Sequence, residues 1–221
     1  IGGGYFNTIL TGATNSTISG GWSNTILTGT TNSTIGGGQQ NTILTGSSYS
    51  FIGGGILNTS SGYVSTIGGG NHNTTSGSYS SINGGYRNIS KGIGSFVGGG
   101  SCNTSSCNYS TIVGGACNIS SGCYSFVGSG YRNTSSGVYG TIGGGRNNTS
   151  SGCHSSILGG SGNTVSHDCS FIVGNGIATS CPNTTYMNCL SIMDLQDGSA
   201  GLLAGSVYYC STDSNRLYFV P

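Results

Sequence analysis

Nine cysteines, three histidines and four aspartates are the residues of this 221-residue chain whose types first suggest metal binding, redox chemistry or acid–base catalysis. It contains no glutamate, and its acids are Asp168, Asp194, Asp197 and Asp213. Asp194 and Asp197 stand beside the turn-forming Gln196-Asp197-Gly198, which suits solvated turn roles better than a catalytic carboxylate pair. Nucleophile triads have no material here. The Gly-Gly-Gly runs precede no helix and lack the Lys-Ser/Thr ending of a phosphate loop. There is no Cys-x-x-Cys, and His72, His154 and His167 are scattered, so no metal site is expected. The expectation is a non-enzyme with no catalytic residues and no cofactor.

What the cysteines can do depends on the period of the chain. Asn recurs at 7, 24, 41 and 58, then every fifteen residues at 73, 88, 103, 118, 133, 148 and 163. The residue three places earlier is Gly in all eleven cases, and the residue four places earlier is Gly in all but one, Ser129. So short a period means one unit stacked on itself. Residues 58–72 divide into two short β-prone stretches, Asn-Thr-Ser-Ser and Tyr-Val-Ser-Thr-Ile, separated by glycine turns. Gly and β-branched residues disfavour helix. The fold expected is all-β, a parallel β-roll or β-solenoid of about eleven coils, each of 15 or 17 residues, about 50 Å long at 4.8 Å per rung. Residues 1–174 form this repeat domain and 175–221 a small C-terminal β-rich cap or hairpin unit. The chain opens in mid-repeat, which suggests a segment of something longer.

One apolar position recurs in every coil: Ile1, Ile18, Ile35, Ile52, Ile67, Ile82, Val97, Ile112, Val127, Ile142 and Ile157. Ser65, Ser80, Ser95, Ser110 and Ser125 are inward candidates that bury little apolar area. One Ile per coil contributes about 2–3 kcal/mol, whereas ordering each residue's backbone costs about 1–2 kcal/mol. A lone coil therefore looks under-supported, and packing of these ridges between chains is expected, hence an obligate oligomer. The seventeen-residue coils add Ile9, Leu10, Ile26, Leu27, Ile43 and Leu44 and should form the better-packed end.

On this period, Cys102 and Cys117 stack on adjacent rungs, and Cys107–Cys123 and Cys153–Cys169 are one rung plus one residue apart, all within disulfide reach. Of Cys181, Cys189 and Cys210, two can pair, and the odd total leaves one thiol free or bridging chains. Asn-x-Ser/Thr sequons occur at Asn15, Asn32, Asn58, Asn73, Asn88, Asn103, Asn108, Asn118, Asn133, Asn147, Asn148 and Asn183. They are glycan acceptors in a secreted chain; alternatively a turn Asn points inward to bond its own backbone. Glycans on several are expected, because a rod with only 4% charged residues has little repulsion to keep copies apart. Tyr109, Tyr124 and Tyr139 form a column, either a stack stabilising one face or a binding strip.

The pattern Ile-Gly-Gly-Gly-x-x-Asn-Thr-x-x-Gly-x-Tyr-Ser-Thr at 67–81 and 142–156 resembles the repeat of YadA-like trimeric adhesin heads, which also occurs in viral tail-fibre-like proteins. The resemblance covers residues 1–174. It implies a left-handed β-roll, a homotrimer, and a surface stalk or head without catalysis. Residues 201–209 and 215–221 resemble a small hairpin unit of viral fibres that precedes a self-trimming chaperone, which would place Pro221 near a maturation cut. The cysteines and sequons depart from the bacterial pattern and favour a virus or eukaryote with an oxidising secretory route. The expected role is a structural surface fibre or attachment protein, extracellular or on a virion, with end-to-end joining of trimers into filaments left open. The alternatives are a receptor- or glycan-binding adhesin of a bacterial trimeric autotransporter and an ice-binding solenoid, the last suggested by the Thr column from Thr8 to Thr164. Five Lys and Arg against four acids are too few for a nucleic-acid or anionic-membrane interface, and no apolar run spans a bilayer.

Overall fold

The computed structural model describes residues 1–188 and, beyond them, only the backbone of two short strands, β24 (Val207–Cys210) and β25 (Arg216–Phe219), which pair antiparallel. The compact unit Ile1–Asn188 is all-β and is a parallel β-solenoid of about twelve turns. Its odd-numbered strands, from β1 (Thr8–Ile9) to β21 (Thr164–Val165), form an eleven-stranded sheet. The even-numbered strands, from β2 (Thr17–Ile18) to β22 (Phe171–Val173), followed by β23 (Thr185–Met187), form a twelve-stranded one. Each coil also makes a third, single-residue bridge, running Tyr5, Trp22, Gln39, Ile56, Asn71, Tyr86, Ser101, Ala116, Tyr131, Arg146, Ser161. Two strands per coil are legible in the sequence; this third bridge is not, since its residue types share no property. The solenoid also runs past the 174 boundary expected from the repeat. β23 lacks the Gly-rich signature but still pairs in parallel with β22.

The glycine pattern follows from coil-to-coil contact. The Gly three before each Asn has φ between 83° and 99° in all eleven coils. A Cβ there would sit well inside contact distance of the next coil's carbonyl oxygen, as for Gly115 against Gly130. One place earlier, a Cβ on Gly114 would meet nothing within 4 Å. That is why Ser129 occupies the position in one coil while its neighbour is never anything but Gly.

The interior consists of columns. The Ile/Val column from Ile18 to Ile157 is fully buried within the single chain, and only the terminal Ile1 is exposed. This corrects the expectation that the ridge packs between chains: the coil closes around its own isoleucines. In the seventeen-residue coils Ile26 and Ile43 join that core, while Leu10, Leu27 and Leu44 face outward and are only partly covered. Further along, serines take the place of Ile26 and Ile43 and pair across the coil, as Ser60–Ser65 at 2.5 Å, Ser105–Ser110 at 2.6 Å and Ser120–Ser125 at 2.6 Å.

The pairing lapses in three coils, at Thr75 with Ser80, at Ser135 with Gly140 and at Val165 with Ser170. Gly140 stands where its neighbours have Ser125 and Ser155, and the buried Ser135 hydroxyl has no partner. A Cβ at Gly140 would lie 2.9 Å from both Gly137 O and Ser135 Oγ. Flanking coils carry Ser at this place, with Ser125 Oγ donating to Gly122 O at 2.6 Å, so a small adjustment suffices. Gly140→Ser should therefore stabilise the fold by about 1–2 kcal/mol, from the restored hydrogen bond and the stiffer unfolded chain. Denaturant melts of the two proteins measure this directly.

Candidate functional site

Side chains at equivalent positions of successive coils stand in columns, and several of these columns carry chemistry. The first is internal. Asn118 Nδ2 donates to Gly114 O (3.0 Å) and to Gly130 O in the next coil (2.9 Å). Its Oδ1 accepts the Asn133 backbone N–H at 2.9 Å, and Asn118 N–H donates to Asn103 Oδ1 at 2.9 Å. The same ladder runs from Asn7 to Asn163, with every Asn from Asn24 onward fully buried. Each amide thus ties its own turn, the coil above and the coil below.

This ladder overturns part of the sequon expectation. Asn58, Asn73, Asn88, Asn103, Asn118, Asn133 and Asn148 are ladder residues with no exposed surface. Their Nδ2, the atom a glycan would modify, is already spent on two carbonyls. Asn15, Asn32, Asn108, Asn147 and Asn183 are exposed. If the chain is expressed through a glycosylating secretory route, glycopeptide mapping should find sugar only on these five. Glycan on folded Asn103 or Asn118 would contradict the ladder.

Two corners of each coil hold a residue in the left-handed region. One column is Asn15, Asn32, Tyr49, Val64, Tyr79, Gly94, Tyr109, Tyr124, Tyr139, His154, Cys169, Asn183; the other runs from Phe6 to Gly176 through Arg87, Cys102, Cys117 and Arg132. From the second coil onward, every one of these residues donates its N–H backward, as Tyr124 N–H to Asn108 O (3.0 Å) and Arg132 N–H to Ala116 O (3.0 Å). Strand residues donate forward, as Thr111 N–H to Ser125 O (2.9 Å). The positive φ is what turns the N–H around. For a non-Gly residue it costs roughly 1–2 kcal/mol, so side-chain contacts in the column must offset it.

Tyr109, Tyr124, Tyr139 and His154 do so by stacking, with centroids 5.2, 5.0 and 4.8 Å apart and planes within 14°. Such pairs contribute about 0.5–1.5 kcal/mol each, comparable with the backbone cost. Of the two readings the sequence allowed, the stack is what is observed, lengthened by His154. Ring faces inside it are taken, so the column is no open platform. Its upper end lies on Gly94, where a Cβ would approach the Tyr109 ring to 2.9 Å.

The described cysteines from Cys102 to Cys169 fall on four columns, with Cys102 and Cys117 sharing one and Cys123 and Cys153 another. Cys107 and Cys123 form a disulfide with Cα atoms 4.9 Å apart. Cys102 and Cys117 share the second left-handed corner, with Cys117 N–H donating to Ser101 O, and both are unbonded thiols. Cys153 and Cys169 also remain thiols, although Cys169 N–H donates to Cys153 O at 2.9 Å. Cys181 is exposed; hydrogen bonding to Thr184, then to Tyr186, holds its thiol below the ordinary range. Cys189 and Cys210 lie outside the residues whose side chains are described, as do Asp194, Asp197 and Asp213. No group of three metal-binding side chains occurs among the described residues, and no helix of theirs is long and apolar enough to cross a membrane.

Outward columns complete the surface. The Thr column is interrupted by Ile89 and Ile119 and is mostly only half exposed, a poor match to a flat repeating ice face. The outer face of the even-numbered sheet carries Phe51, Phe96, Phe126 and Phe171, with Val113, Leu158 and Val173 beside them. The bridge corner carries Tyr86 and Tyr131, each with the guanidinium of the following Arg 5.0 Å from its ring centroid. Neither this corner nor His154 could be singled out from sequence, since both depend on which residues share a column. No protein-family model matches the chain, and no curated protein matches it significantly.

Proposed function

We propose that this chain is the shaft of a structural surface fibre with an attachment role, a homotrimer displayed outside a cell or on a virion. The observation that carries this reading is the asparagine ladder, which repeats one set of bonds in coil after coil from Asn7 to Asn163. A body built this way is stiff and quasi-one-dimensional, which suits holding something at a distance. The resemblance of the repeat to YadA-like heads and viral fibres points the same way. The Cys107–Cys123 disulfide fits an oxidising compartment. Exposed sequons at Asn15, Asn32, Asn108, Asn147 and Asn183 offer places for a sugar coat.

Support for association comes from the surface rather than from the buried isoleucines. Phe51, Phe96, Phe126 and Phe171, interspersed with Thr66, Ser81, Thr111, Thr141 and Ser156, form with Val113, Leu158 and Val173 the face that neighbouring chains would cover. The C-terminal hairpin, β24–β25, fits the fibre unit that the resemblance suggests. Sedimentation equilibrium tests the trimer: a mass of three 22.0 kDa chains is expected. Phe96→Ser with Phe126→Ser should shift it toward monomer without loss of the β-sheet signal. A wild-type monomer at micromolar concentration would refute the trimeric shaft.

A further inference from the structure

The bridge corner gathers nearly all the positive charge of the solenoid. Residues 1–188 hold four Lys and Arg and one carboxylate, Asp168. Arg87, Arg132 and Arg146 lie on this corner and its flanking column, all exposed. Asp168 sits in a different column, where it accepts the Cys153 N–H at 2.7 Å. Among the described residues, no carboxylate stands on the corner to neutralise the arginines.

Two copies of one arrangement stand on it. Arg87 covers one face of the Tyr86 ring and Arg132 one face of Tyr131, both at 5.0 Å, and both tyrosines remain about 40% exposed. The bridge Tyr86, Ser101, Ala116, Tyr131 places the copies three rungs apart, about 14 Å at the parallel-strand spacing. The floor between them is made of small side chains, Ser101, Ala116, Cys102 and Cys117. Arg146 pairs in register below Tyr131 and extends the strip.

We propose that this corner is a docking strip for a linear acidic polysaccharide, sulphated or carboxylated, lying along the solenoid axis. The reading rests on the attachment role above and supplies its ligand class. Planar guanidinium groups held by tyrosine rings present their outer N–H groups to sulphate or carboxylate in a fixed orientation. The uncovered parts of the rings pack against sugar C–H faces, and the shallow floor admits a chain without a pocket. A peptide partner fits less well. Ser101, Cys102, Ala116 and Cys117 N–H groups all donate to neighbouring coils, so no free edge is available for strand addition, and the floor has no pockets for side chains. Three cations also neutralise too few phosphates for nucleic acid.

The test is titration calorimetry of the full chain with a heparin-type sulphated oligosaccharide in physiological salt. Neutral dextran, poly-glutamate and single-stranded oligonucleotide serve as comparisons. Binding of the sulphated glycan at least tenfold tighter than any of the three is expected. Arg87→Gln with Arg132→Gln should weaken it at least tenfold while the sheet signal stays unchanged and the melting temperature falls by only a few degrees, from the two lost cation–π contacts. Lys91→Gln, on another column, should leave affinity within twofold. Absence of glycan binding, equal or tighter binding of poly-glutamate or oligonucleotide, or equal loss on Lys91→Gln would overturn the proposal. A trimeric rod that fails to bind would remove this strip and leave the shaft reading intact; a monomer that binds would do the reverse.

Discussion

Gly115→Ala is expected to destabilise the solenoid by about 2–5 kcal/mol, whereas Gly114→Ala, one residue away, should be close to neutral. Two costs coincide at Gly115. Its φ of 84° is strained for any residue with a Cβ, and the added methyl would be driven into the carbonyl oxygen of Gly130. Strained backbone of this kind costs about 1–3 kcal/mol, and overpacking a tight contact about as much again. Relief requires the coils to separate locally, which would lengthen the Ala116 N–H to Gly130 O and Asn118 Nδ2–H to Gly130 O hydrogen bonds, both 2.9 Å. Gly114 lacks both features, as its Cβ would point into open space. Paired chemical melts of the two variants measure the contrast. Similar losses at both positions would show that the glycines act through chain flexibility and not through the coil-to-coil contact.

Asn118→Asp should be at least as damaging, with a cost of about 3–5 kcal/mol at neutral pH, and it carries a pH signature. The substitution keeps shape and size but replaces a donor of two hydrogen bonds by an oxygen facing Gly114 O and Gly130 O. It also buries a charge where no cation is near. Such a carboxyl has its pKa raised in the folded state by desolvation and by the two carbonyl oxygens. The folded protein then binds the proton more tightly than the unfolded one, so stability falls as pH rises and recovers on acidification through the carboxyl range. Asn118→Ala removes the same donors and leaves Asn133 N–H without its acceptor, but brings no charge. Its deficit should be flat across that range. Comparing the two variants between acidic and neutral pH separates loss of the ladder bonds from burial of charge.

Much of this architecture was legible because the constraint that stacking imposes is local and repeated. Gly115 and its ten equivalents are invariant because each meets a carbonyl, and Ser129 is tolerated because nothing lies above that position. The isoleucine column was visible for the same reason, but its place was not. Periodicity reveals that a residue type recurs; it does not tell whether the ridge faces the inside of one coil or a neighbouring chain. The corners escaped altogether. Val64, Arg87, Cys117 and Tyr124 are unlike the Gly and Asn that ordinarily mark positive φ. They take that conformation because the coil needs one N–H pointing backward at each corner, a tertiary demand that overrides local preference. Surface columns followed suit. Tyr109, Tyr124 and Tyr139 were evident from their shared spacing. The Tyr86–Arg87 and Tyr131–Arg132 pairs were not, because two unlike rungs, at Ser101 and Ala116, separate them.

The twelve sequons show the opposite hazard. A repeat rich in Asn, Ser and Thr writes Asn-x-Ser/Thr wherever the ladder Asn is followed two places later by an inward Ser or Thr, as at Asn118 and the buried Ser120. The motif there is a by-product of packing. At Asn15 and Asn32 the asparagine sits at an exposed left-handed corner, and the same three letters become accessible to modification.

Residue-resolved hydrogen exchange tests the ladder most directly. The account predicts that the backbone amides of Asn24 through Asn163, donating in turn to the preceding Asn Oδ1, exchange slowly and to a similar degree at every coil. Their Nδ2 protons should be protected alongside them. Rapid exchange of these side-chain amides, or protection confined to a few isolated coils, would contradict the stacked arrangement on which the proposed shaft depends.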